Sequence, residues 1–365
     1  MLILIQLLIA VGITAFLSLM LVVAEMLFAN YGECEIDINK GEKKLKVKGG
    51  SSLLSSLAEN NIFIPSACGG RGSCGFCKLK VVDGGGPLLP TEKPFLSPAE
   101  IKDNVRLSCQ VKVKNDLRIQ VPEELFAIKQ FKARVKKIEN YTYDIKGLTF
   151  ELLEPDSIHF KAGQYMQLST VKYGKVKQSV SRAYSISSNP NNPKDLQLII
   201  RRVPDGICTT WVHDYLKEND EVKLTGPFGD FYIRDTDNDI VFIAGGSGKA
   251  PIKSMIENLY DAGCERKMTY FFGARAVKDL YLTDYLKSYE DKLKEFTYVP
   301  ILSSPEKDDN WQGRTGFIMP HFGEFIKHPA QTEAYLCGSP GMINAVSKGL
   351  TDMGVPEDQI YYDSF

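Results

Sequence analysis

The sequence has no surplus of charge. Lysine and arginine total 44 against 45 aspartate and glutamate, a net charge of −1, and no polybasic stretch stands out. That balance argues against a nucleic-acid binder. Between Leu2 and Val23 charge is missing altogether. A helix of that length spans about 33 Å, enough for the hydrocarbon core of a bilayer. The basic residues that open a cleaved signal peptide are missing too, and the apolar run, which Glu25 ends, is longer than the usual signal core. A permanent anchor is expected. Lys40, Lys43, Lys44, Lys46 and Lys48 follow the run and no Lys or Arg precedes it, so the positive-inside rule puts the body on the cytoplasmic side.

A second C-x2-C knuckle is lacking, which counts against a structural zinc site. The chain, at 365 residues, is also no small secreted disulfide scaffold, and Cys34, Cys208, Cys264 and Cys337 are scattered as reduced thiols are. Such a length implies two or three domains, and the ordinary proportions of apolar and charged residues leave no large disordered tract.

What the chain does have is one crowded stretch. From Ala67 to Cys77, three cysteines (Cys68, Cys74, Cys77) and four glycines fall in eleven residues, and Cys109 follows in Leu107-Ser108-Cys109-Gln110. Four thiolates spaced C-x5-C-x2-C and then one distant cysteine suit a [2Fe–2S] cluster wrapped by a tight loop and closed by a later segment. The glycines permit positive φ and let backbone N–H groups turn toward the cluster sulfurs.

Around this loop the periodicity predicts a β-hairpin from Cys34–Asn39 and Lys44–Val47, a short helix at Ser52–Asn60, a strand at Lys78–Val82, a helical turn at Ser97–Asp103, and one or two closing strands in Gln110–Val121. A linker is expected from Pro122 to Lys132. Short strands with glycine turns follow, at Arg134–Lys137, Leu148–Leu153, up to Leu168 and at Leu196–Arg202, with a helix opened by Gly206 and running through Leu216; they predict an antiparallel β-barrel. From Asp239 strands (Ile240–Ile243, Lys267–Gly273, Phe296–Leu302, Ala334–Cys337) alternate with helices (Ile252–Asp261, Pro340–Met353), which predicts a parallel sheet with helices on both faces.

Ligands of such sheets bind beyond the carboxyl ends of the strands. The loop Gly245-Gly246-Ser247-Gly248-Lys249-Ala250-Pro251 follows the first of them and is a candidate pyrophosphate cradle, made of its backbone N–H groups and the next helix's N-terminus. It is not G-x-G-x-x-G, and alone it could be a plain strand-to-helix turn.

Three resemblances build on these motifs. The stretch from Glu33 to Glu124 resembles β-grasp ferredoxins, with a first cysteine gap of five where the plant spacing has four. Arg182-Ala183-Tyr184-Ser185, then Gly206 and Thr209, then Gly226-Pro227-Phe228-Gly229, resembles the flavin domain of the ferredoxin–NADP reductase family. That resemblance implies that Arg182 pairs with the pyrophosphate of FAD, Tyr184 stacks on the isoalloxazine and Ser185 hydrogen-bonds near its reactive nitrogen; otherwise Tyr184 is a barrel-core aromatic and Arg182 a surface charge. Cys337-Gly338-Ser339-Pro340 resembles the same family's Cys-Gly-x-Pro signature, which implies a thiol near the hydride path rather than a merely buried one. Gly273-Ala274-Arg275 resembles its nucleotide-contacting loop, and Phe365 its near-terminal aromatic over the flavin. Arg275 leaves NAD against NADP open.

Across the whole chain the order of modules resembles the family of F subunits of sodium-translocating NADH:quinone reductases. Gly84-Gly85-Gly86 before Leu89-Pro90-Thr91-Glu92, and Pro122-Glu123-Glu124-Leu125-Phe126, carry this likeness. One departure is that sixteen residues separate Tyr165 from Arg182, where that family has a long insertion. The resemblance implies a transmembrane anchor at 1–30, a [2Fe–2S] ferredoxin domain at 31–126, an FAD-binding barrel at 127–236 and an NADH-binding α/β domain at 237–365. It implies a bacterial inner-membrane, single-pass protein that passes electrons from NADH through FAD and the cluster to other membrane subunits. Two other readings stand beside it: the reductase component of an oxygenase, and a tethered electron carrier or scaffold that does not oxidise NADH.

Overall fold

The computed structural model describes residues 2–28 and 31–364. It has two compact units, Met1–Ile128 and Lys129–Phe365. The first begins with α1 (Leu2–Phe28), whose segment Ile5–Val23 is long and apolar enough to cross a membrane and has none of its described side chains buried within the protein.

Strands β1 (Glu33–Ile38), β2 (Lys43–Lys48), β3 (Lys78–Asp83), β4 (Val105–Leu107) and β5 (Leu117–Gln120) then form a sheet of order β2-β1-β5-β3-β4. Only β1 and β5 pair in parallel, the mixed sheet expected of the ferredoxin-like region. Helix α2 (Leu53–Glu59) starts where Ser52 Oγ accepts from Ser55 N, and it buries Leu53 and Leu57 against Ile36, Ile38, Leu117 and Ile119 of the sheet. Helix α3 (Pro98–Lys102) opens with a capping box of Ser97 and Glu100 and with proline at its first position. The closing region is more irregular than the alternation in Gln110–Val121 suggested. Only Leu117–Gln120 is a strand, while Lys112 makes a single bridge to Ser52 and Val113 N donates to Ser51 O.

The second unit opens with β6 (Lys129–Asn140), so regular structure starts earlier than the linker expected to Lys132. With β7 (Ile145–Glu154), β8 (Tyr165–Ser169), β9 (Ser181–Ser185), β10 (Asp195–Arg201) and β11 (Glu221–Phe228) it gives the antiparallel order β10-β7-β6-β11-β8-β9. A bridge between Ile186 and Leu198 joins the two ends of that order and closes the barrel. Helix α4 (Ile207–Asp214) sends Trp211 and Val212 into the barrel core.

The parallel sheet holds β12 (Asp239–Gly245), β13 (Met268–Ala274), β14 (Phe296–Leu302), β15 (Arg314–Thr315), β16 (Thr332–Gly338) and β17 (Ile360–Ser364) in the order β15-β14-β13-β12-β16-β17. Its central strands are buried on both faces and read as unbroken apolar runs, such as Ile240–Ala244. Helices α5 (Lys249–Asp261) and α6 (Thr283–Lys287) cover one face, and α7 (Phe322–Phe325) and α8 (Pro340–Met353) the other. The chain leaves β12 in one direction for β13 and in the other for β16, so the switch point lies at the carboxyl end of β12.

Candidate functional site

The cysteine loop is held by its glycines. Gly69, Gly70, Gly72 and Gly75 all have φ between 67° and 83°, a region where a side chain is strained. Beta carbons at Gly72 and Gly75 would also meet Gln110 Nε2 at 2.5 Å and the Phe95 ring at 2.9 Å. Freed this way, the backbone turns its N–H groups onto sulfur: Arg71 N lies 3.2 Å from Cys68 Sγ, and the N–H groups of Phe76 and Gly72 reach Cys74 and Cys109.

The four thiols approach in two pairs. Cys68 and Cys74 Sγ are 3.4 Å apart, and the Cys77 thiol hydrogen-bonds Cys109. Among the described residues no three His, Cys, Asp or Glu converge on a point that one ion could occupy. Two pairs fit a two-iron cluster, each iron taking two cysteines, better than a mononuclear zinc. Burial raises the Cys68 thiol, but bonds from Ser73, Cys74 and Arg71 outweigh it and bring it down to about 7. Cys109 falls to about 6, chiefly through the bond from Cys77.

The strand before Cys109 is fixed by a buried ion pair. Glu92, wholly buried, accepts from Arg106 Nε at 2.9 Å, from its Nη2 at 2.7 Å and from Leu107 N at 3.0 Å. The same guanidinium donates to the carbonyls of Gly85, Gly86 and Pro87, which explains the glycine turn before Glu92.

In the second unit, the residues expected around a flavin lie on β9 and α4. Arg182 is half-buried, donates to Ser181 O at 2.7 Å and makes no ion pair with a carboxylate among the described residues. A guanidinium so placed is free to fork onto phosphate oxygens. Tyr184 packs against the barrel core and hydrogen-bonds Cys208. Gly206 caps α4, and Thr209 Oγ1 is engaged with the backbone of Val203 and Gly206, fastening that turn.

The loop Gly245–Gly248 leads straight into α5, which begins at Lys249 rather than Ile252 and takes Pro251 into its buried first turn. Gly246 has φ +57°, and a beta carbon at Gly248 would lie 2.1 Å from Cys337 O. Loop and β16 therefore touch backbone to backbone, which only glycine allows. Beside them is a cavity of about 580 Å³ lined by strand ends, including Gly245, Gly246, Gly273, Arg275 and Ser339. That is within the usual size of a cofactor cleft. A groove of about 710 Å³ beside β3 in the first unit is larger, but neither the four paired cysteines nor any glycine loop line it.

Three residues here escaped the sequence reading. Asp363 on β17 pairs in register with Cys337, and its Oδ2 accepts from Ser185 Oγ at 3.2 Å. Burial pushes this carboxyl up to about 6, against the bond from Ser185. Cys337 itself is fully buried, and burial with the nearby Asp363 raises its thiol. Arg201 on β10, bonded through Nε to Asp144 at 2.7 Å, brings its Nη1 within 3.3 Å of where a Gly246 beta carbon would sit. Phe317 lines the cavity and is 72% exposed. No local motif marks any of them; topology brings them in. Phe365 lies outside the described residues.

Comparison with known proteins agrees with this layout. A family model for the 2Fe-2S iron-sulfur cluster binding domain matches residues 36–114, one for the oxidoreductase FAD-binding domain 132–233, and one for the oxidoreductase NAD-binding domain 242–348. The F subunit of the Na(+)-translocating NADH-quinone reductase of Neisseria meningitidis is 37% identical over 391 aligned positions, covering 96% of each chain. That of Pseudomonas paraeruginosa is 38% identical over 386, covering 94% of each. Among solved structures, the Amycolatopsis cytochrome P450 reductase GcoB superposes with a TM-score of 0.74 at 26% identity, covering 91% of this chain and 98% of its own. The ferredoxin reductase in carbazole 1,9a-dioxygenase does so at 0.70 and 27%, with the same coverage.

Proposed function

We propose, because this chain belongs to the family of F subunits of Na(+)-translocating NADH-quinone reductases, that it is the NADH-oxidising component of a membrane complex that delivers electrons toward quinone. Bound FAD would supply a hydride acceptor for NADH and the conversion to single electrons, and a bound [2Fe–2S] cluster would supply the one-electron carrier beyond it. The observation that carries the reading is the meeting, in one unit, of the Gly245–Gly248 loop, Cys337, Ser185 and Asp363.

The chain's own residues have these tasks. Arg182 and the N-terminus of α4 at Gly206 bind the flavin diphosphate, and Tyr184 presents its ring to the isoalloxazine. Ser185 holds its hydroxyl proton toward Asp363 and keeps its oxygen oriented at the hydride path. The Gly245–Gly248 N–H groups and Arg275 hold the dinucleotide, NADH in preference to NADPH. Cys68, Cys74, Cys77 and Cys109 hold the cluster. Helix α1 spans the bacterial inner membrane once, with the catalytic body on the cytoplasmic side and other membrane subunits as partners.

A second reading, the reductase component of an oxygenase, is favoured by the names of the two superposing reductases. The test is to isolate the protein from its native membrane with its partners and to follow NADH oxidation. Membrane subunits that pass electrons to quinone support the first reading. Co-isolation of an oxygenase and no quinone reduction would establish the second.

A further inference from the structure

Two lysines of α5 are buried in unlike surroundings. Lys253 has a carboxylate: its Nζ lies 2.6 Å from Glu257 and also donates to Ser187 O at 2.9 Å. Lys249, first residue of the helix and fully buried, has none among the described residues. Its Nζ donates to Tyr281 O at 2.5 Å and to the Tyr298 hydroxyl at 3.0 Å, and sits 3.7 Å from the centre of the Phe272 ring. The rings of Tyr281 and Tyr298 stand at 4.5 and 5.3 Å.

The titratable groups facing this cage are phenols and a thiol: Tyr270 from β13, Tyr281 from the segment before α6, Tyr298 from β14, Cys337 from β16 and, stacked on Tyr281, Tyr141 from the turn after β6. Burial raises all five, so none supplies a negative charge near neutral pH. On α5 itself the next titratable group is Lys253, already paired with Glu257. Burial holds the Lys249 amine well below the ordinary lysine range. An aromatic cage and two acceptors solvate an ammonium in part, but a buried charge without a counter-ion stays costly.

The missing charge has a place to come from. Tyr281, whose carbonyl accepts from Lys249, donates its hydroxyl to Gly246 O at 2.8 Å. One residue thus joins the cage to the loop at the helix N-terminus.

We propose that Lys249 is a positioning cation for the dinucleotide: the diphosphate held at Gly245–Gly248 is its counter-charge, and nucleotide binding is linked to the proton on Lys249. This rests on the nucleotide site assigned above. A bound diphosphate favours the charged amine, so the bound protein keeps that proton to higher pH than the free protein. Affinity is then full below the free-state titration, falls as pH rises through the window between the two states, and levels off above it.

The experiment is calorimetry of ADP-ribose binding to the full-length protein, in buffers of different ionisation enthalpy, across the pH range. The wild type takes up protons on binding, and its affinity falls about tenfold across the window, the equivalent of one pKa unit. Lys249→Met loses that share of the uptake and binds at the weaker, alkaline level, while Asp363 stays in place. Tyr298→Phe, which removes one acceptor and keeps the ring, moves the fall to lower pH. Binding by the wild type without proton uptake, or a Lys249→Met or Tyr298→Phe profile identical to the wild type, overturns the proposal alone. A wild type that does not bind ADP-ribose removes the site assignment and this proposal together.

Discussion

The cysteine loop and the cavity proposed for the nucleotide are built in opposite ways. Three of the four thiols sit in eleven consecutive residues, and most of the backbone donors that face them come from that loop itself, joined by Ser108 and Cys109 from the closing segment. The cavity gathers residues from Asp144 to Val346: barrel residues, strand ends on both sides of β12 and part of α8. A site made of local backbone depends on a few glycines and on what anchors the ends of the loop. A site made by topology depends on close approaches between distant strands.

That contrast can be broken at the anchor. Glu92→Ala leaves Arg106 buried without its partner, a change that costs about 3–5 kcal/mol. The expected result is a loss of that size in the unfolding free energy of the first unit, read by denaturant melts, with flavin reduction by NADH unchanged. Equal stability of variant and wild type would show that the pair does not hold the loop.

The corresponding change in the second unit acts through contact. Gly248→Ala places a methyl where Cys337 O stands 2.1 Å away, so loop or strand must shift. NADH affinity is expected to drop about tenfold, equivalent to about 1.4 kcal/mol, with the cluster's spectrum intact. An unchanged NADH Kd would mean that the loop's approach to β16 is not needed for binding.

The smallest effect is expected at Asp363. Its carboxyl, raised by burial to about 6, is neutral below that pH and a carboxylate above it. The ionised form is the stronger acceptor for Ser185, so flavin reduction by NADH should quicken several-fold as pH rises through that value and then level off. Asp363→Asn keeps an acceptor oxygen but cannot ionise, and its profile should be flat. A wild-type rate that falls over the same range would contradict this role.

The same contrast sets how much was legible in the sequence. The cysteine spacing, the anchor-length apolar run, the barrel's short strands and the helix Pro340–Met353 could be read because each is a local pattern. Asp363 and Arg201 could not, since neither lies in a motif and each acquires its neighbours from a pairing nearly two hundred or about sixty residues distant in the chain, to Ser185 and Asp144 respectively. Lys249 stood in the loop that was read, but its fully buried amine among aromatic rings follows from the side chains of β13 and β14. Of the one or two closing strands expected in Gln110–Val121, Leu117–Gln120 forms; Val111 and Val113 alternate like strand residues, but their side chains are buried beside the helix cap at Ser52.

On the proposed function, electrons enter at the nucleotide unit and leave through the cysteine loop. Rapid mixing of NADH with the full-length protein, wild type and Cys74→Ala, under exclusion of oxygen, tests it most directly. The expected result is flavin bleaching in both, followed by reduction of the cluster in the wild type alone, with iron content lowered in the variant. Flavin bleaching abolished in a folded Cys74→Ala protein, or a wild-type cluster reduced before the flavin, would contradict it.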